Sequence, residues 1–317
     1  MTHSRHINRR AALSLMGAAA ATPTWAQTRL TYDLKPVQKG PGLWMVEGAT
    51  EYFSTDNGGA IVNIAMLETD AGLIIVDTGP SLRYGEALRQ VALQTTGKGV
   101  AEVILTHHHP DHFFGNQAFD GVPIRALAET GKYARSHGDG YSDAMYRLLG
   151  DWMRGTEVIP PGHVLTPGRL EIGGRVLQAL PLAGHTEADL VLVDEASGTA
   201  IAGDLAFLDR APTTPDADLD LWRKSLDEIE RLKPAAIVPG HGPFDQTGAS
   251  LRQTRAYLDW LDQTFSKAAN SGLDMVEVME TDLPEDFAKM GAQPQEFHRS
   301  VSHLFPDFEA EALPLRN

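Results

Sequence analysis

The 317-residue sequence contains no cysteine. This absence excludes disulfide bonds, thiolate metal ligands and a cysteine nucleophile, so any metal must be held by histidine and carboxylate side chains. Positive charge is also scarce, because 27 Lys and Arg stand against 42 Asp and Glu and the net charge is −15. No Lys/Arg cluster offers a basic stripe to a phosphate backbone, which argues against nucleic acid as a partner.

Long apolar runs are missing as well. The stretch 11–21 is short of the roughly 20 residues that span a bilayer, and it lies between Arg9-Arg10 and the small-residue end Thr24-Trp25-Ala26. We predict that residues 1–26 are an export signal peptide of twin-arginine type and that the mature protein is periplasmic or secreted, without stable membrane insertion. Removing these residues takes away three arginines and no acid, which lowers the net charge to −18.

What is present is the composition of a soluble globular protein, with 42% hydrophobic and 22% charged residues. Short apolar strand patterns alternate with helical patterns, which predicts an α/β sandwich of two sheets. We expect residues 27–317 to form a single domain with C-terminal helices from about residue 248. Two further helices are predicted over 128–137 and 141–154, on either side of a glycine-rich break, as an insertion over a cleft.

The run Thr106-His107-His108-His109-Pro110-Asp111-His112 follows the short apolar strand 103–105. Such a loop places three imidazoles and a carboxylate within reach of one another. Pro110 has a fixed backbone angle that turns the last two residues toward a second point. The run therefore predicts two neighbouring metal positions, with His108 pointing away.

Three further ligand candidates each stand beside a glycine and close to the end of a predicted strand. They are found in Gly184-His185, Gly203-Asp204 and Gly240-His241. Glycine lets the backbone come close to an ion. Each of the three residues alone is weak evidence for a metal ligand. Together with the histidine-rich loop, they indicate a metal site.

The chain resembles the metallo-β-lactamase superfamily, whose signature is His-x-His-x-Asp-His followed by a lone His, a lone Asp and a final His. The resemblance covers roughly residues 42–245 and implies an αββα sandwich of two mixed sheets with flanking helices. It also implies two bound zinc ions, although the same ligands suit iron or manganese. The implied metal ligands are His107, His109 and His185 for the first ion, Asp111, His112 and His241 for the second, and Asp204 as the bridge.

A finer resemblance points to the periplasmic quinoprotein-relay zinc metallohydrolases. It is carried by residues 203–207, the loop 210–212, Asp216-Ala217-Asp218 with Trp222, and residues 238–243. Asp77 and Gly79 also resemble the superfamily's short Asp-x-Gly turn beneath the site. This branch implies a periplasmic setting and says little about the bond cleaved.

We predict a dinuclear zinc hydrolase in which a metal-bridging hydroxide attacks a small ester, thioester or lactam. Zinc lowers the pKa of bound water to around 7, so that hydroxide is available at neutral pH. Asp111 and Asp204 are the predicted catalytic carboxylates. The residual positive charge of the centre would stabilise the oxyanion formed on attack.

Three other functions stay open at this point. Related folds use a similar ligand set in mononuclear iron sulfur dioxygenases, and β-lactam hydrolysis suits the compartment, although Asp204 counts mildly against it. A zinc-binding accessory protein without turnover is the third. Glyoxalase-type thioester hydrolysis is disfavoured, because residues 250–317 show no obvious cationic pocket.

Several polar residues receive a structural interpretation. The lone histidines 137, 163, 298 and 303 are expected to be ordinary surface or core residues. Asp209 and Arg210 are either a substrate-facing pair or a surface ion pair, and the sequence favours neither.

Overall fold

The structure is a computed structural model that describes residues 30–312. The first sheet is formed by strands between residues 36 and 164. The predicted signal peptide, residues 1–26, lies outside the described residues. Within the described range this sheet has seven strands, and their order across the sheet is the same as their order along the chain: β1 (Pro36–Gly40), β2 (Leu43–Val46), β3 (Ile64–Thr69), β4 (Gly72–Val76), β5 (Val100–Ile104), β6 (Ile124–Ala126) and β7 (His163–Val164). Strands β1 to β4 pair antiparallel and β4 to β7 pair parallel.

The second sheet is built from the later part of the described chain. Its five strands are β8 (Gly168–Ile172), β9 (Arg175–Leu182), β10 (Asp189–Asp194), β11 (Thr199–Phe207) and β12 (Ala236–His241). Strands β8 to β11 pair antiparallel, whereas β12 pairs parallel to β11. Both sheets are therefore mixed, as predicted.

Helices flank the sheets. Within residues 30–312 they are α1 (Leu82–Thr96), α2 (Pro110–Phe113), α3 (Ala128–Leu149), α4 (Leu219–Arg231), α5 (Ala249–Asn270), α6 (Met275–Met279), α7 (Glu285–Ala288) and α8 (Gln295–Ala312). Ser81 caps the start of α1 and Gly97, at φ +71°, ends it.

The hydrophobic core lies between the sheets. Alternate residues of β2 and β9, such as Leu43, Met45 and Leu177, belong to one buried cluster that both sheets share. A second cluster packs α4 and α5 on the outer side of β11, and a third joins α5 to α8. These layers give the αββα sandwich expected from the sequence.

Helix α3 corrects the prediction of two helices separated by a break. It runs without interruption for 22 residues through Gly138 and Gly140. A Cβ at Gly138 would come within 2.4 Å of Val158 Cγ1, so the glycine is needed for close packing and does not end the helix. Tertiary packing here offsets the cost of helical glycine, about 1 kcal/mol per residue.

From Thr31 onward the chain forms one compact unit. No helix among residues 30–312 combines the length and the apolar character that crossing a membrane requires. The boundary at residue 26 stays a prediction.

Candidate metal centre

The seven candidate ligands come from five places along the chain that meet at one edge of the two sheets. His107 and His109 lie in the loop after β5, and Asp111 and His112 lie in α2. The remaining three are His185 between β9 and β10, Asp204 within β11 and His241 at the end of β12. All seven side chains are buried.

The first group consists of His107, His109, His185 and Asp204. One side-chain nitrogen or oxygen from each lies within 4.8 Å of the corresponding atoms of the others. His109 Nδ1 and His185 Nε2 are 2.9 Å apart, and His185 Nε2 is 3.3 Å from Asp204 Oδ2. This is the set that the sequence assigns to the first metal, with the bridging Asp204.

The second group consists of Asp111, His112 and His241, whose ligand atoms also lie within 4.8 Å of one another. His241 Nε2 is 3.4 Å from Asp111 Oδ2, and His112 Nε2 is 3.7 Å from the same oxygen. This is the set that the sequence assigns to the second metal.

Asp204 lies between the two groups. Its Oδ1 is 3.2 Å from His112 Nε2, and its Oδ2 is 3.3 Å from the Nε2 atoms of both His185 and His241. One carboxylate thus contacts histidines of both groups, which is the position that a bridging ligand needs.

Several inward-facing atoms fit a cation. Among residues 30–312, His107 Nε2, His112 Nε2 and Asp204 Oδ1 are buried without a well-aligned hydrogen bond. Buried polar atoms in native proteins normally have partners, so a group of such atoms facing one another suits the binding of a cation. Imidazole and carboxylate without thiolate are suitable ligands for zinc, and iron or manganese would also fit.

Two histidines of the second group are oriented by hydrogen bonds from their outer nitrogens. His112 Nδ1 donates to Asp77 Oδ2 at 2.8 Å, and His241 Nδ1 donates to the Ile61 carbonyl at 2.8 Å. Asp77 also accepts from the backbone and hydroxyl of Thr106, both at 2.8 Å. These contacts leave Nε2 of each ring facing the site, the arrangement that metal-ligating histidines usually show.

His109 is oriented by Asp216, a residue to which sequence reasoning assigned no role. His109 Nε2 donates to Asp216 Oδ2 at 2.8 Å, which leaves Nδ1 for the first group. The hydrogen bond from His109 holds the pKa of Asp216 well below its usual range. The only sequence signal was its place in the Asp216-Ala217-Asp218 motif.

The metal-free electrostatics put two imidazoles and Asp204 in the forms that bind cations. Burial lowers the pKa of His107 and of His185 well below the ordinary value, so both imidazoles are neutral. Burial would raise the pKa of Asp204, but the neighbouring His241, His112 and His185 hold it well below the ordinary value. Neutral imidazole and ionised carboxylate are the ligand forms that metals require. Burial lowers the pKa of His112, but Asp204, Asp111 and Asp77 raise it well above the ordinary value, so this ring must release a proton to bind a metal.

Loop anchors that the sequence did not reveal hold the ligand-bearing segments. Asn63 Nδ2 donates to the carbonyls of Pro239 and Gly242 on either side of the His241 turn, at 2.8 and 2.7 Å. Asp189 Oδ2 accepts from the backbone N–H of His185 at 3.0 Å, and burial raises the pKa of Asp189 to about 7. A lone Asn or Asp in a strand pattern gives no signal of such a role.

The remaining histidines stay outside both groups. His108 belongs to neither group and stacks on Tyr133 of α3 with ring centroids 5.1 Å apart, although one of its nitrogens lies within 4.8 Å of ligand atoms of His109 and Asp216. Histidines 137, 163, 298 and 303 are exposed. The interpretation of these four as ordinary residues agrees with the structure.

Asp209 and Arg210 fit neither interpretation that the sequence left open. Arg210 is 1% exposed, and its Nη2 lies 3.1 Å from Glu296 Oε1 of α8. Asp209 Oδ1 instead accepts a hydrogen bond from Nε2 of Gln253 in α5 at 3.4 Å. The partner of Arg210 is distant in sequence, and for this reason the pairing was not foreseen.

A profile of the metallo-beta-lactamase superfamily matches residues 57–241, more than half of the chain. The chain belongs to the metallo-β-lactamase superfamily, and this membership supports an enzyme built on that fold. The solved structure of a metallo-beta-lactamase from Pontibacter korlensis superposes with a TM-score of 0.58 at 23% identity, covering 71% of this chain and 99% of the other. FIM-1 from Pseudomonas aeruginosa, in its mono-zinc form, gives 0.58 at 20% identity over 73% and 96%. These likenesses show the shared fold.

Relatives by sequence carry several different names. A beta-lactamase-like protein 2 homolog of Caenorhabditis elegans is 29% identical over 57% of this chain and 56% of its own length. A linear primary-alkylsulfatase of Pseudomonas sp. (strain ATCC 19151) is 23% identical over 75% of this chain and 53% of its own. The chain therefore spans little more than half the length of these two curated relatives.

Proposed function

We propose that this protein is a dinuclear zinc hydrolase that acts on a small ester, thioester or lactam. The observation that carries the proposal is the position of Asp204: its Oδ2 lies 3.3 Å from His185 of the first group and from His241 of the second, and its Oδ1 lies 3.2 Å from His112 of the second. Zinc bound there would lower the pKa of a bound water to around 7 and polarise a substrate carbonyl.

The protein's own residues do the positioning in this proposal. His107, His109 and His185 would hold one ion, while Asp111, His112 and His241 would hold the other. Asp77 and Asp216 fix two of the rings through their outer nitrogens. Asp111 and Asp204 supply the negative charge that binds the cations, and they are the proposed catalytic carboxylates.

The cellular setting belongs to the same proposal. The order of arginines, apolar stretch and small residues in 1–26 supports export, and the motifs at 203–207 and 238–243 support a place among the periplasmic quinoprotein-relay zinc metallohydrolases. We therefore propose a periplasmic or secreted hydrolase of small molecules.

Elemental analysis of the purified mature protein, followed by a chromogenic ester, thioester and lactam panel on the same sample, tests the proposal. We expect two zinc ions per chain and turnover of at least one substrate class. One iron per chain with oxygen uptake on a persulfide would identify a sulfur dioxygenase instead. Zinc binding without any turnover would identify an accessory protein, and hydrolysis of nitrocefin alone a β-lactamase.

Asp216→Asn is expected to weaken metal binding at the first group roughly 10- to 100-fold, the usual cost of losing the partner that orients a ligating histidine. The asparagine keeps the size of the side chain but loses the charge that holds His109. Titration of the metal-free protein with zinc against a chromogenic chelator measures the change. Asp220→Asn is the matched control, because Asp220 is exposed and pairs with Arg223, away from the candidate ligands. Equal zinc affinity in wild type and Asp216→Asn would contradict the role.

A further inference from the structure

The loop 208–218 joins β11 to α4 and is bonded at both ends to segments that carry candidate ligands. At its start, the backbone N–H of Leu208 donates to the carbonyl of His241 at 3.1 Å. At its end, the backbone N–H of Asp218 donates at 2.9 Å to the carbonyl of Gly184, the residue before another candidate ligand. The path of this loop is therefore coupled to the backbone at two places in the candidate metal centre.

The middle of the loop reaches a third ligand through Asp216, which accepts from His109 Nε2 at 2.8 Å. The turn that carries Asp216 is closed by a backbone hydrogen bond from the N–H of Ala217 to the carbonyl of Thr214, at 3.0 Å. The Asp216 side chain itself is 39% exposed. The position of its carboxylate therefore depends on where the backbone of the loop lies.

Helix α8 holds the middle of the loop through buried side chains near its N-terminal end. Thr214 Oγ1 donates to Ser300 Oγ at 2.7 Å, and Thr213 Oγ1 donates to Glu296 Oε1 at 2.8 Å. Ser300 Oγ in turn donates to the backbone carbonyl of Glu296 at 2.8 Å. Thr214, Ser300 and Glu296 are fully buried, so water does not compete for these hydrogen bonds. Both threonines lie just before Asp216 in the loop, and α8 thus fixes the backbone that leads to this carboxylate.

The first part of the loop is held by the same C-terminal region. The backbone N–H of Ala211 donates to the carbonyl of Gly291 at 3.1 Å, and the Gly291 N–H donates to the carbonyl of Asp209 at 2.9 Å, which makes a short parallel pairing. Beside this pairing, the buried guanidinium of Arg210 lies 3.1 Å from Glu296 Oε1. A buried charge that loses its partner is strongly destabilising. The loop therefore cannot move away from α8 without a large cost in free energy.

We propose that α8 holds the loop 208–218 in place for metal binding, and that Ser300 and Glu296 are positioning residues that keep Asp216 aligned with His109. This inference rests on the proposed function, because it assigns the C-terminal helices a role at the metal centre that the function requires. The partner that orients a ligating histidine affects metal affinity strongly. Residues that hold this partner in place affect the metal only through it, so the effect of Ser300 depends on the presence of the Asp216 carboxylate.

A double-mutant cycle separates this role from a general effect on stability. Zinc dissociation constants are measured by titrating the metal-free mature protein against a chromogenic chelator, for wild type, Ser300→Ala, Asp216→Asn and the double variant. The constant that Asp216→Asn raises belongs to the first group, and Ser300→Ala should raise the same constant roughly 2- to 10-fold, the usual cost of one hydrogen bond. In the Asp216→Asn background, Ser300→Ala should have no further effect, because the connection from α8 to His109 is already broken.

Ser302→Ala is the matched control, because Ser302 lies on the exposed side of the same helix and donates to the carbonyl of His298. It should leave every zinc dissociation constant unchanged. Glu296→Gln should weaken zinc binding at the first group more than Ser300→Ala does, since it removes the charge that balances Arg210. Thermal melting followed by circular dichroism reports whether each variant folds. If Glu296→Gln does not fold, the cycle with Ser300→Ala decides the question alone.

A purely structural role for α8 predicts a different result. Ser300→Ala would then lower the melting temperature with unchanged zinc affinity, or would weaken zinc binding equally with and without the Asp216 carboxylate, and either result overturns the proposal. The expected zinc constants in a protein that hydrolyses no substrate of the panel would support the role of α8 and reject the proposed hydrolase. Turnover together with wild-type zinc affinity in Ser300→Ala would support the hydrolase and reject the role of α8.

Discussion

The Asp204→Asn variant is expected to lose turnover by about 10³-fold or more, because removing partners one step further from a metal already costs roughly 10- to 100-fold. Asp204 lies within 3.3 Å of His112, His185 and His241, whereas Asp111, the other carboxylate of the cluster, lies 3.4 Å from His241 and 3.7 Å from His112. An amide of the same shape keeps the packing but removes the charge that balances two cations. We expect the variant to retain its fold and to lose at least one metal ion per chain.

Elemental analysis, turnover of the best panel substrate and thermal melting followed by circular dichroism measure these three expectations on one sample. Asp227→Asn, on the exposed side of α4, is the control that changes charge equally at a distance from the site. His107→Ala should behave like Asp204→Asn. Full activity in a metal-depleted double variant of these two residues would refute the metal-dependent mechanism.

The ligand set could be predicted from sequence because its chemistry is concentrated. His107, His109, Asp111 and His112 stand within six residues of one another, and each other ligand directly follows a glycine near a predicted strand end. Strand ends meet at one edge of a sheet, so short local patterns were enough to predict that the side chains converge. The strand and helix order could be predicted for the same reason.

The contacts around the ligands could not be predicted, because they join distant segments. Asp216 meets His109 across 107 positions, and Glu296 meets Arg210 across 86. No periodicity marks such pairs, since each depends on how a loop or helix packs against the finished sheet.

Strand β11 is an exception to the rule that glycine ends a strand. Glycine commonly ends a strand, but β11 extends from Thr199 through Gly203 to Phe207. Gly203 adopts φ +52° and disturbs the register, but pairing with β12 resumes and reaches Phe207 opposite His241. Asp204 therefore stands on an irregular strand, next to a close contact between Gly203 and Thr106.

The Gly240→Ala variant is expected to disturb the geometry of the candidate metal centre, although it changes no ligand residue. A Cβ at residue 240 would lie 1.9 Å from Asp204 Oδ1, 2.8 Å from the Gly203 carbonyl carbon and 2.9 Å from the Asp204 backbone nitrogen. Two of these atoms are backbone, so rotation of one side chain cannot relieve the clash. The strand β12 and the carboxylate of Asp204 must move apart, and a shift of about 1 Å in a catalytic group costs roughly 10²-fold in rate.

Gly99→Ala is the matched control, because nothing lies within 4 Å of a Cβ at that position and its backbone is outside the left-handed region. Both variants exchange one glycine for one alanine, Gly240 within β12 and Gly99 directly before β5. Gly240→Ala should lose about 10²-fold in turnover and about 1–3 kcal/mol in the free energy of unfolding, as expected for overpacking, whereas Gly99→Ala should change neither. Normal turnover and metal content in Gly240→Ala would mean that close packing against β12 does not fix the position of Asp204. The bridging role of Asp204 would then need another explanation.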